Sequence, residues 1–248
     1  MNPLLYRRYL FFTSARVILN DQLFSDLVRK RACSYIVGIS HHTLNLPRNV
    51  AVKRKKTINI SLAGSFDDIF KHFNDTARNE IRRTFEITEF SFTVNDGNYK
   101  EVYLLYRLFR IAKKLKLRPL AFLASGLLFS AYYKSELIST ITCYDAFPYL
   151  RIQNIFSKLD RGDRDVRRLV GYATRRLIYE ICRYGNMQGF SLLDLASANF
   201  TNPAKAGITQ FKSSFGGIVA DEYTYTYRSG ILRFLGGIRL LGKRLFLR

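Results

Sequence analysis

Cysteine and histidine are both scarce in this 248-residue chain, and the shortage sets aside two kinds of protein. Three cysteines, Cys33, Cys143 and Cys182, cannot build a closed disulfide framework, and no pair of them stands at metal-ligand spacing. An odd, scattered set points to reduced thiols and a cytosolic compartment. His41 and His42 read as loop residues, so no metal is expected. Long apolar runs are missing too. "PLAFLASGLLFSAYY", from Pro119, falls short of the roughly 20 residues of a spanning helix. The start, "MNPLLYRRYLFFTSARVIL", is broken by arginines and lacks the cleavage site of a signal peptide. The expectation is a chain that does not cross a membrane. It carries no internal repeat and no low-complexity segment.

Acidic residues are few. Nineteen Asp and Glu face forty Lys and Arg, a net charge of +21. That excess attracts polyanions: nucleic acid, an anionic membrane surface, or phosphorylated small molecules. Charge does not choose among them. With 48% hydrophobic and 15% aromatic residues, the chain is no disordered basic tail.

Periodicity then orders the segments. Residues 1–56 form a lead-in, with a helix around Asp21 to Arg31, a strand at Ser34 to Ile39, and a closing "KRKK" cluster. "TINISL" (57–62) alternates like a strand, and a helical stretch capped by Ser65 follows. "ITEFSFTV" alternates again, and "YKEVYLLYRLFRIAKKLKL" has the spacing of one long amphipathic helix. From Arg118 to about Leu159 the aromatic and branched residues predict a meander of antiparallel strands. A helix through about Tyr184, a strand in "GFSLLDLAS", a short helix and a last strand in "IVADEYTYTYR" complete the order. The spacing predicts a mixed α/β (α+β) fold, with a mainly antiparallel sheet flanked by helices. Its body would span 57–228, followed by a basic tail at 229–248.

One short stretch decides the chemistry. Arg168-Leu169-Val170-Gly171-Tyr172-Ala173 has the form Arg-x-x-Gly-x-Ala where a strand gives way to a helix. Gly171 and Ala173 keep side chains out of the way, so the amides from Val170 to Ala173 can form an anion nest at a helix mouth, with Arg168 adding charge. The same residues also fit the interior of a helix already begun at Asp165, where the glycine costs about 1 kcal/mol relative to alanine.

This order of elements resembles the GNAT superfamily of acyl-CoA N-acyltransferases, in which that motif holds the coenzyme A pyrophosphate. "GFSLLDLAS" followed by "AGITQFKSSFGG" resembles the end of its FemAB-like branch, the peptidoglycan-bridge aminoacyltransferases. Gly207, Phe211, Lys212, Phe215 and Gly216 match that branch's Gly-x-x-x-Phe-Lys-x-x-Phe-Gly run, and Ala196 stands where it usually has glycine. "NDTARNEIRRTFE" is similar to its basic helix.

The resemblance implies an acyl-CoA-dependent N-acyltransferase acting on an amine of a sugar, lipid-linked or cell-envelope precursor. A Fem-type enzyme using aminoacyl-tRNA is the alternative. Outside the resemblance stands a non-catalytic basic RNA-binding protein. The strand amides near Ile152 to Ile155 would polarise the carbonyl. Asp145 or Glu136 on the meander would act as base or remain turn residues. Asp194 is a functional carboxylate or a cap, Lys212 orients the substrate or is a solvated lysine, and Tyr144, Tyr172 and Tyr184 are candidate proton donors. The tail places Ile231, Phe234, Leu235, Ile238, Leu241 and Leu245 on one helical stripe flanked by cations. That is the pattern of a helix lying on an anionic membrane, here the cytoplasmic face, or of a terminal helix docked on the domain or a partner.

Overall fold

A computed structural model describes residues 4–9, 11–159 and 162–234. Contacts divide them into one unit, Thr57–Val219, and a second that joins the segment ending at Lys56 to the segment beginning at Ala220. The divisions fall between 56 and 57 and between 219 and 220, the last strand pairing with the N-terminal segment.

The second unit is a sheet with one helix. β1 (Leu4–Tyr9) and β2 (Phe12–Ile18) form an antiparallel pair that the reading of a one-helix, one-strand lead-in missed. α1 (Asp21–Arg29) is capped by the Asn20 side chain. β3 (Tyr35–Ser40) runs parallel to β2 and antiparallel to β10 (Ile218–Arg228), whose other neighbour is β4 (Val50–Ser61). Phe24 and Val28 of α1 pack on Ile36 and Tyr225, and Gly38 leaves room for the Phe24 ring. The "KRKK" cluster lies within β4, where Arg54 and Lys56 reach Asp221 at 2.6 and 2.9 Å.

The first unit carries the larger sheet, in the order β4, β9 (Leu192–Ala198), β8 (Tyr149–Ser157), β7 (Glu136–Ala146), β6 (Leu127–Tyr133), β5 (Phe90–Val94). β5 through β8 are antiparallel in succession, and β8 with β9 is parallel. Side chains alternate across each strand. Phe129 and Ile141 therefore meet α2 (Phe66–Lys71), α3 (Asp75–Glu86) and α6 (Arg164–Met187), while Leu128 and Leu137 meet α4 (Tyr99–Ala112) and α5 (Leu120–Leu123). α7 (Ala206–Ser213) follows β9.

Two boundaries differ from the sequence reading. The helix expected to run through "KKLKL" stops at Ala112: Lys114 takes a left-handed φ of 53°, and the Leu115 amide donates to the Arg110 carbonyl at 2.8 Å. The "meander" opens with α5, which begins just after Pro119 because proline fits a helix start. The basic tail is helical from 230 to 234, with Ile231 and Phe234 exposed, and the rest of the expected 229–248 helix lies outside the described residues. Among the described residues no helix is long and apolar enough to cross a membrane.

Candidate functional site

The Arg-x-x-Gly-x-Ala stretch is not a helix mouth. α6 starts at Arg164, so Val170, Gly171, Tyr172 and Ala173 lie in its second and third turns. There each amide donates to the carbonyl four residues back, which leaves none for a diphosphate. The true mouth is closed by Asp163, whose carboxylate accepts from the Asp165 and Val166 amides at 2.7 and 3.2 Å. A carboxylate thus sits where an anion would dock. Arg168 is exposed and paired with Asp165 at 3.1 Å. Tyr172 and Ala173 face the core, and the Tyr172 hydroxyl accepts from Arg83 at 2.9 Å. The coenzyme A pyrophosphate cradle drawn from Arg168, Val170, Gly171, Tyr172 and Ala173 is not formed.

The adjoining strands hold something else. β8 and β9 pair for only three residues, Tyr149 with Leu192 through Arg151 with Asp194. Beyond that point the two strands part, and a cavity of about 550 Å³ lies between them, floored by α6 and closed by α7. Ile152 to Ile155 form one wall; Leu195, Ala196 and Lys212 form the other. This is the stretch of main chain that the resemblance assigned to the carbonyl. In the β7–β8 ladder Cys143 faces Ile152 and Thr142 faces Asn154, so Gln153 is an extra residue, a β-bulge that falls out of the ladder. The side chain of Gln153 donates to the Phe122 carbonyl at 2.8 Å, and its Oε1 is buried without a partner.

Local sequence explains the far wall. Ala196 has φ 60°, the left-handed conformation that glycine takes without strain, at the position where the resemblance expects glycine. Two groups hold that turn. The Ala196 amide donates to Asp194 Oδ1 at 2.7 Å, and Lys212 Nζ donates to the Ala196 and Ser197 carbonyls at 3.1 and 2.8 Å. Phe215 fills the core against Phe73 and Phe211, and Gly216, at φ 68°, lets the backbone of His72 come close. The Phe-Lys-x-x-Phe-Gly run is therefore a packing device that delivers one ammonium to the cavity.

The expected carboxylates are elsewhere. Asp194 is fully buried and accepts from Arg151 and Thr57, so it is the anion of an internal ion pair and not an available base. Asp145 stands opposite Leu150 near the β7–β8 turn, outside the cavity wall. Glu136 is exposed and holds Lys158 at 2.6 Å. Tyr144 and Tyr172 are buried and Tyr184 half-buried; none of the three lines the cavity. Burial, and then the charge of Asp145, pushes the Tyr184 phenol up. Among the described residues lining the cavity, none is a carboxylic acid, and three are cations: Arg167, Arg175 and Lys212. Arg175 is held by Glu80 at 3.0 Å over the Phe211 ring. The sequence reading missed Arg151, Gln153, Arg167 and Arg175. Arg151 left a signal: it is a lone charge in an apolar strand, as Asp194 is in the next one.

A cleft so built can take an apolar or ester-linked chain, polarise a carbonyl and stabilise negative charge on its oxygen. No family model and no curated protein matches the chain. Solved structures do. A crystal structure of FemX is similar over 94% of this chain and 85% of that one, at 9% identity and a TM-score of 0.66. The C-terminal domain (DUF2156) of a putative lysylphosphatidylglycerol synthetase from Agrobacterium fabrum is similar over 96% and 85%, at 11% identity and a TM-score of 0.58. L-PGS from Bacillus licheniformis is similar over the same shares, at 12% identity and a TM-score of 0.53. The fold is GNAT-like and FemAB-like.

Proposed function

We propose that this chain is a Fem-type acyltransferase that moves an aminoacyl group from its ester on tRNA to an amine of a cell-envelope or lipid-linked precursor. The observation that carries the reading is the parting of β8 from β9 over a cleft that brings together the Gln153 bulge and the Lys212 ammonium. The donor carbonyl would lie against β8. As the amine nitrogen attacks, the C–N bond forms, the ester C–O bond breaks and the nitrogen proton leaves with the ribose oxygen. Main-chain N–H at the bulge and Lys212 stabilise the oxyanion. The described residues of the wall include no carboxylate, and those named here contribute orientation and charge.

Acyl-CoA, the donor favoured by the motif, loses its support once the Gly171 amides are counted as helical. The net charge of +21 suits a polynucleotide carrier. The structures similar at a TM-score above 0.5 include a FemX, the C-terminal domain of a putative lysylphosphatidylglycerol synthetase and an L-PGS.

Donor turnover tests the reading. Purified chain should deacylate or transfer from aminoacyl-tRNA in the presence of an amine acceptor, and leave acyl-CoA untouched. Lys212→Met should lower the rate about 100-fold, with the melting midpoint followed as a control for folding. Consumption of acyl-CoA without tRNA would overturn the donor assignment. Tight binding of tRNA whether or not it is charged, without turnover, would favour the RNA-binding reading.

A further inference from the structure

We infer that the outer face of α4 and the turn after it, residues 104–120, form a docking surface for an anionic lipid bilayer. The inference goes beyond the transfer reading and needs no turnover. Residues Val102, Leu105 and Tyr106 turn one face of α4 into the core. The opposite face carries Leu104, Leu108 and Ile111, one to two helical turns apart, each 55–59% exposed. Leu115, Leu117 and Leu120 continue the apolar display beyond the helix at 37–45% exposure. Such a contiguous set of aliphatic side chains in water marks a contact surface.

Cations border it on every turn. Lys100 and Arg107 share the outer face of α4; Lys113, Lys114, Lys116 and Arg118 follow, and no acid occurs from 102 to 120. Glu101, just before, is drawn inward, with Oε1 accepting from the Leu137 amide at 3.4 Å.

The display is built, not left loose. Arg110 bends back to the Lys116 carbonyl, with Nε donating at 3.0 Å. The Tyr103 hydroxyl donates to the Arg118 carbonyl at 3.2 Å, and the Arg118 guanidinium lies over the Phe122 ring. These bonds fix the main chain of 113–118 while its leucines and lysines point out, so little conformational freedom remains to be lost on docking.

The chemistry selects the partner. A nucleic acid would use the cations and stack its bases on aromatic rings, but the ring of Tyr106 is buried and that of Phe109 lines the cleft. An aliphatic ridge inside a ring of lysine and arginine gains from both halves of an anionic leaflet: acyl chains below, phosphate headgroups around.

The chain has no tryptophan, which gives a clean reporter. In full-length protein carrying Leu108→Trp, emission should shift to the blue on adding vesicles of phosphatidylcholine mixed with phosphatidylglycerol, and stay put with phosphatidylcholine alone. In flotation, Leu108→Asp with Ile111→Asp, and separately Lys113→Glu with Lys116→Glu, should each lower binding to the anionic vesicles about tenfold. All four side chains are exposed, so these variants keep the fold. Three results would overturn the inference: variants that float like the parent chain, a parent chain that does not bind anionic vesicles, or one that binds RNA or an acidic protein in place of vesicles.

Discussion

Replacing Asp194 with alanine separates a structural carboxylate from a catalytic one. The substitution removes the acceptor for Arg151, for Thr57 and for the Ala196 amide, and leaves the Arg151 guanidinium buried without this carboxylate. Breaking a buried pair from one side costs about 3–5 kcal/mol. For a chain of this size that lowers the melting midpoint by roughly 6–20 °C. Asp194→Asn keeps an acceptor for Thr57 and the Ala196 amide and should fall between. The informative variant is the double one: with Arg151→Met and Asp194→Leu, no charge is left uncompensated, and most of the loss should return. Urea unfolding followed by circular dichroism reads all four chains. If Asp194→Ala shifts the unfolding free energy by less than about 1 kcal/mol, or if the double variant is no more stable than the single one, the reasoning about the pair is wrong.

Other expectations are as direct. Arg168→Ala should change stability by no more than about 0.5 kcal/mol, since its ion pair is with Asp165, an exposed neighbour one turn away. It should also leave the donor KM unchanged. Gly171→Ala should stabilise the chain by about 1 kcal/mol, because the glycine is interior to α6 and a Cβ there meets nothing closer than Arg175 Nη1 at 4.0 Å. Ala196→Gly should raise the melting midpoint slightly by relieving a left-handed alanine, whereas Ala196→Val should cost more than about 1 kcal/mol. Tyr132 is pushed up to about 12 by burial and then by its hydrogen bond to Asp96. Folding therefore favours the neutral phenol, a contribution present in full below pH 10.0 and lost as pH rises toward about 12. Tyr132→Phe should flatten the fall in stability across that window in alkaline titrations.

What was legible in the sequence was much of the succession of elements between residues 57 and 228. Alternation in "TINISL" and "GFSLLDLAS" and the helical spacing before Ala112 are local signals, and the structure keeps them. The Phe-Lys-x-x-Phe-Gly run led to Lys212, which the structure puts in the cavity wall. What failed was the glycine. Gly171 looks the same in one dimension whether its amide is exposed at a helix mouth or spent inside a turn, and the outcome rested on whether the helix began beside the glycine or two turns earlier, as it does after the Asp163 cap. Asp194 misled for a related reason: a buried carboxylate in an apolar strand signals function only if no opposite charge faces it, and Arg151 faces it from the next strand. The bulge at Gln153 had no signal at all, because register is a property of two strands and not of one.

The separation of β8 from β9 bears on how much sequence such a site needs. Where a reacting group is gripped by peptide bonds along a strand edge, the letters of the alphabet at those positions are free to drift while the grip persists. Likeness among such chains can be slight residue by residue and still plain in the path of the backbone. This chain shares 9% of its residues with FemX yet is similar to it in fold over 94% of its own length.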